Sequence, residues 1–202
     1  MNNKVINYSN GDRYIGQIIN GLREGIGTYY WNNGDRYEGE WKNDKMEGKG
    51  IFYWKSGDKY EGDWRNGKFE GKGIYYYNNG DRFESDWKND NFKGKGIYYY
   101  NNGSIYEGNY RNNKPNGKGN HYDKSGDIYE GDFRNGKKEG RGIYYFNNGN
   151  RYEGDWRNDK FEGKGIFYYI NGDMKIGKYF KNKPIGIHVI ITKNGTIKVK
   201  KY

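Results

Sequence analysis

Two kinds of side chain recur at fixed spacing in this chain and could carry chemistry. The first is a set of cation pairs three residues apart: Lys42 and Lys45, Arg65 and Lys68, Arg111 and Lys114, Arg134 and Lys137, Arg157 and Lys160, with Lys88 alone at the corresponding place. Evenly spaced cations suit anionic lipid headgroups, at about 1 kcal/mol per residue near a membrane. The alternative is a row of solvated turn-flanking residues that also discourages aggregation. The second kind is aromatic: Tyr37, Trp41, Phe52, Trp54, Tyr60, Trp64, Phe83, Trp87, Tyr106, Tyr110, Tyr129, Phe133, Tyr152 and Trp156. Rings in that number mean a binding face for a partner or a second copy, or else plain packing.

Catalysis finds little support. The only histidines, His121 and His188, are 67 positions apart, and there is no Cys. No nucleophile, base and orienting group can be assembled from these. Phosphate-loop, dinucleotide and zinc spacings are absent from the sequence. The chain is therefore expected to be non-enzymatic, with no cofactor, no metal and no small-molecule substrate.

The spacing of both sets comes from one period. Every 23 residues the chain repeats itself, opening at Tyr14, Tyr37, Tyr60, Phe83, Tyr106, Tyr129 and Tyr152, with Lys175 in the eighth opening place. A fixed period means one structural unit stacked on copies of itself. Composition alone would suggest disorder: Leu, Ile, Val and Phe total only 32 of 202 residues. The 24 Tyr and 6 Trp stand at fixed places in the repeat, and aromatics bury enough area to hold a thin structure together. The formal charge of +10 favours acidic partners. The N-terminus has no apolar signal region, and the aliphatic run Val189–Ile191 is too short to span a bilayer, so a cytoplasmic protein, membrane- or cytoskeleton-associated, is expected.

Each unit reads as two strands and two turns. At the second residue of the tighter turn stand Gly21, Asp44, Gly67, Asp90, Asn113, Gly136, Asp159 and Asn182. These residue types tolerate positive φ and mark a two-residue type I′ hairpin. The turn between units always carries a glycine, such as Gly57, and side-chain parity favours a three-residue loop, Lys55-Ser56-Gly57. The expected register sets Trp41 opposite Met46, Gly39 opposite Gly48 and Tyr37 opposite Gly50, the glycines leaving room for rings to lie across the strand. On the other face it sets Glu38 opposite Lys49, repeated as Glu61–Lys72, Glu84–Lys95, Glu107–Lys118, Glu130–Arg141 and Glu153–Lys164, with Ile51 and Tyr53 as a satellite apolar row. Cations and rings then fall on different surfaces, which disfavours nucleic acid as a partner.

The unit Tyr60–Arg82, YEGDWRNGKFEGKGIYYYNNGDR, closely resembles the MORN (membrane occupation and recognition nexus) repeat, built on Tyr-x-Gly-x-Trp, a turn, Gly-x-Gly and a Tyr before Gly-Asp. The resemblance implies a module for assembly, protein binding or membrane-site attachment, and no reaction. The expected fold is all-β: a single-layer antiparallel β-hairpin repeat array forming an elongated twisted sheet. Residues 1–202 form one repeat domain, with a half-repeat at 5–13, seven repeats at 14–174 and a degenerate aliphatic repeat at 175–202 that caps the sheet edge. The expected role is a scaffold that binds a protein partner or a second copy of itself along the aromatic face; the alternative is a peripheral module that binds anionic lipid through the basic hairpin tips. The Tyr106 unit departs most, with Tyr110 for Trp, Pro115-Asn116, Asn120-His121 and Asp123, and Ser85 breaks a glycine row just before it.

Overall fold

A computed structural model of the chain describes residues 3–202, the side chain of Lys93 excepted. Every regular element in it is a strand, and the chain forms two units, the first ending at Asn101 and the second covering Asn102–Tyr202. The first unit holds β1 (Lys4–Asn7), β2 (Arg13–Ile19), β3 (Leu22–Tyr30), β4 (Arg36–Lys42), β5 (Lys45–Tyr53), β6 (Lys59–Arg65), β7 (Lys68–Tyr76), β8 (Arg82–Lys88) and β9 (Asn91–Tyr99). The second holds β10 (Ile105–Arg111), β11 (Lys114–Tyr122), β12 (Ile128–Arg134), β13 (Lys137–Tyr145), β14 (Arg151–Arg157), β15 (Lys160–Tyr168), β16 (Met174–Phe180), β17 (Lys183–Ile191) and β18 (Ile197–Lys201). Within each unit, consecutive strands pair antiparallel.

Both turns take the expected form. At the tight hairpin Asn43 (φ 48°) and Asp44 (φ 63°) are both left-handed, as are Asn66 (φ 50°) and Gly67 (φ 78°). In the connecting loop Trp54 N donates to Asp58 O (3.0 Å) and Gly57 N to Trp54 O (2.9 Å), which leaves Lys55-Ser56-Gly57 as the loop.

The register within the tight hairpin differs from expectation. Trp41 does face Met46 and Glu40 faces Glu47, but then Gly39 faces Gly50 and Tyr37 faces Phe52. Gly48 and Lys49 form a two-residue bulge, with Gly48 at φ 60°. Glycine accepts that conformation without the Cβ penalty. The two glycines of Gly-x-Gly thus have different tasks: Gly48 permits the bulge, and Gly50 clears space for a ring.

The bulge also replaces the expected ion pairs. Glu38 faces Ile51, and Lys49 faces and pairs with Asp63 on the next strand. Lys118–Asp132 (2.9 Å) and Arg141–Asp155 (2.8 Å) repeat that arrangement. Glu38, Glu61 and Glu84 instead meet Arg36, Lys59 and Arg82 on their own strands. Those cations lie over Tyr53, Tyr76 and Tyr99, at 4.1, 4.1 and 3.8 Å from the ring centroids. Such exposed pairs hold register more than they stabilise.

Candidate interaction surfaces

The aromatic face is built from the opening Tyr of each repeat. The Tyr37 ring lies across Gly39 and Gly50, where any Cβ would collide with it. Its hydroxyl donates to Glu40 O (3.0 Å). Trp41 and Trp64 clamp it edge-on, with centroids 5.2 and 5.1 Å away. Each indole is anchored in turn: Trp41, Trp64, Trp87 and Trp156 donate to the carbonyls of Gly27, Gly50, Gly73 and Gly142 at 3.0–3.2 Å. A buried ring with its polar end bonded contributes its full apolar area at little desolvation cost.

Among the fourteen rings singled out from sequence, Tyr37, Trp41, Tyr60, Trp64, Phe83, Trp87, Tyr106, Tyr129, Phe133, Tyr152 and Trp156 are buried and form the core. Phe52, Trp54 and Tyr110 are half-exposed. Phe83 brings no hydroxyl, and Ser85 beside it supplies one that donates to Lys95 O (2.6 Å).

Phe52 and Trp54 belong to a second row of rings. In the first unit Tyr8, Tyr29, Trp31, Phe52, Trp54, Tyr75, Tyr77, Tyr98 and Tyr100 follow one another with centroids 4.6–5.7 Å apart. Tyr29 is buried; the other eight are half-exposed or exposed. The ladder lies beside the connecting loops, and carboxylates there tie repeat to repeat. Asp12 accepts from Tyr29 Oη (2.7 Å) and Asn32 N (2.8 Å), Asp81 from Tyr98 Oη (2.7 Å) and Asn101 N (2.7 Å), and Asp127 from Tyr144 Oη (2.7 Å) and Asn147 N (2.8 Å). The Tyr29 hydrogen bond, with that from Asn32, holds the Asp12 carboxyl below its usual range. In the second unit the ladder positions begin with His121 and Asp123, and the rings resume at Tyr144, Phe146, Phe167 and Tyr169. The signal for the ladder was in the sequence: steps of 23 from Phe52 and Trp54 reach Tyr29, Trp31, Tyr75, Tyr77, Tyr98 and Tyr100.

Burial pushes the Tyr14 phenol up to about 12 and raises those of Tyr37, Tyr60, Tyr129 and Tyr152 as well. A phenol whose folded value exceeds its unfolded value, near about pH 10, stabilises fully below that pH and loses its contribution as pH rises through the folded value. The fold is expected to hold to about pH 10 and fail above it, with phenolate absorbance and the loss of near-ultraviolet dichroism rising together. Complete phenolate formation while the dichroism stays native would contradict the burial.

The basic residues lie at the tight turns, and Lys42, Lys45, Arg65, Lys68, Lys88, Arg111, Lys114, Arg134, Lys137, Arg157 and Lys160 are all exposed. Lys42 faces Lys45, Arg65 faces Lys68, Arg111 faces Lys114, Arg134 faces Lys137 and Arg157 faces Lys160. Like charges directly opposite are unfavourable in a sheet. Among the described residues no ion pair joins any of the eleven to a carboxylate. The tips are also stitched to one another: Gly67 N donates to Met46 O (2.9 Å) and Asn66 N to Glu47 (2.8 Å). No helix is long and apolar enough to cross a membrane among the described residues, and no group of His, Cys, Asp and Glu there could hold a metal ion.

Stacked hairpins with a ring buried over paired glycines define a β-hairpin repeat protein. The chain belongs to the MORN repeat family, whose repeat matches residues 14–36, 37–59, 60–82, 83–105, 106–128, 129–151 and 152–174. No curated protein matches the chain in sequence. Among solved structures it is similar to the TCP10 domain of Danio rerio CPAP, solved in complex with a peptide of Danio rerio STIL, with 13% identity, a TM-score of 0.51 and coverage of 99% of this chain and 94% of that one. It is also similar to the CPAP G-box domain, with 10% identity, a TM-score of 0.46 and coverage of 99% of both chains. At 13% identity the likeness to the TCP10 domain concerns the fold alone.

Proposed function

We propose that the chain is a non-catalytic interaction scaffold that binds a protein partner as an extended segment along its aromatic face. The observation that carries this is the continuous ladder from Tyr8 to Tyr100, which leaves Trp31, Phe52, Trp54 and Tyr100 half-exposed and Tyr77 exposed on the sheet. Half-exposed rings held in place bury large area on binding at small entropic cost. That a domain of similar fold was solved with a peptide bound is in keeping with this reading. A cytoplasmic setting with cytoskeletal association fits such a scaffold.

The test is selection of displayed peptides on the intact chain, followed by Trp54→Ala and Tyr77→Ala. At least a tenfold loss of affinity in each, with melting changed little, is the expected result. Peptides that bind equally to both variants would place the site elsewhere, and light scattering would report a second copy as the occupant.

The tip cations, which have no ion-pair partner among the described residues, favour a second reading, a peripheral contact with anionic lipid. Charge reversal at Lys42, Arg65, Arg134 and Arg157 should then abolish flotation with phosphoinositide vesicles at low salt. Flotation that is absent from the start, or unchanged by the reversal, rules that reading out.

A further inference from the structure

At the far end of the second unit, β18 pairs only with β17 among the described residues, and all five of its residues are exposed. Tyr202 N donates to Gly186 O (2.8 Å), and His188 faces Lys200. Alternation along an antiparallel pair therefore turns the N–H and C=O groups of Ile197, Val199 and Lys201 outward. The last repeat, expected from sequence to cap the sheet edge, thus presents an open template for one more strand.

The side chains on this edge alternate. One face carries Ile197 and Val199, exposed by 67% and 69%, with Lys201 at its end opposite Ile187. They end an aliphatic row in which Ile166 faces Ile176, Ile176 faces Val189 and Val189 faces Val199. Beside the row, Ile187 is 66% exposed and, with Ile166, Ile176 and Ile185, forms the apolar lining of a trough of about 700 Å³ that charged side chains, Glu153 and Lys178 among them, also line. The opposite face of β18 carries Lys198 and Lys200. From Met174 to Tyr202 there are eight lysines and no Asp or Glu.

We infer that β18 is the docking edge for an extended segment of a partner protein in which aliphatic and acidic residues alternate. Main-chain hydrogen bonds to Ile197, Val199 and Lys201 supply affinity. The alternate side chains supply specificity, the aliphatic ones extending the Ile176–Val189–Val199 row and the acidic ones meeting Lys198 and Lys200. The same strand of a second copy fits this edge poorly. Antiparallel self-pairing through the outward groups sets Lys198 opposite Lys198 or Lys200, or Lys200 opposite itself, in each register that overlaps them. This edge shares no residue with the Tyr8–Tyr100 ladder, so either can fail while the other stands.

The experiment uses the intact chain and a short synthetic peptide alternating Glu and Val, with a control of the same composition in which the two residue types are clustered. The alternating peptide is expected to bind at least tenfold more tightly than the control. It should protect the amides of Val199 and Lys201 from hydrogen exchange, and it should still bind Trp54→Ala. Lys198→Glu with Lys200→Glu should weaken it at least tenfold, and Lys198→Arg with Lys200→Arg should retain it. Val199→Pro removes an outward N–H and should abolish it; dichroism and melting confirm that the sheet persists. Equal binding of the clustered peptide would reduce the edge to a charge effect and overturn the proposal. So would absence of binding at low salt, self-association through β18, or phosphatidylserine vesicles engaging Lys198 and Lys200 while the peptide does not.

Discussion

Tyr60→Ala is expected to lower the free energy of unfolding by about 3–5 kcal/mol, the range for deleting a buried aromatic side chain. Tyr77→Ala, one position of the outer row, is expected to cost about 1 kcal/mol or less. Both are tyrosines of one repeat, residues 60–82, and what separates them is what they touch. The Tyr60 ring is fully buried, stacks on Phe69 with centroids 3.7 Å apart and lies between Trp64 and Trp87 at 5.3 and 5.6 Å. It lies over Gly62 and Gly73, where a Cβ would collide with it. Tyr77 is 37% exposed and its ring contacts among the described residues are those with Tyr75 and Tyr98, at 4.8 and 5.7 Å. Denaturant unfolding of both variants decides the point, and equal losses would remove the distinction between the rows. In a repeat array most contacts are with nearest neighbours, so the Tyr60 loss should appear first as opened amides in β5 to β8.

His188→Gly is expected to cost about 2–4 kcal/mol, by analogy with other cavity-forming core substitutions, and Lys175→Tyr in the same chain is expected to restore most of it. The final repeat opens on Lys175 where the others open on an aromatic ring, yet the space over its glycine is filled. His188, standing where earlier repeats have glycine, sends its ring across Gly177 from the facing strand. It is fully buried and sits edge-on to Tyr179, with centroids 5.2 Å apart. Its Nε2 lies 2.9 Å from Lys178 O and donates to it, as the Tyr37 hydroxyl does to Glu40 O at 3.0 Å. The ring has changed strands while its site and its hydrogen bond have stayed. A double-mutant cycle measures this directly: a coupling of about 2 kcal/mol supports the exchange, and additive losses would contradict it.

What could be read from the sequence is what local conformation and parity determine. Asn43-Asp44 and Asn66-Gly67 announce their turn because few residues accept positive φ. Lys55-Ser56-Gly57 follows from keeping Trp54 and Tyr60 on one face. The bulge at Gly48 and Lys49 escapes the same reasoning, because a slip of two residues leaves every side chain on its expected face. The ion pairs move with it, so Lys49 meets Asp63 in place of Glu38. From sequence Ser85 only breaks a glycine row and His188 only replaces a glycine; their places beside the ring sites of Phe83 and Lys175 are visible only once those sites are known. The bonds from Tyr29 to Asp12 and from Tyr98 to Asp81 span 17 residues and need the twist of the sheet to be seen.

The division of the aromatic face into an inner row that holds the fold and an outer row that binds is tested most directly by oxidative footprinting, with and without a peptide selected on the intact chain. In the free protein Trp31, Trp54 and Tyr77 should be labelled quickly, and Tyr60, Trp64 and Tyr152 slowly. With the peptide bound, the first three should become protected while the tips, reported by the exposed amines of Lys42 and Lys68, stay as reactive as before. Protection of the tip lysines with Trp31, Trp54 and Tyr77 unchanged would contradict the account.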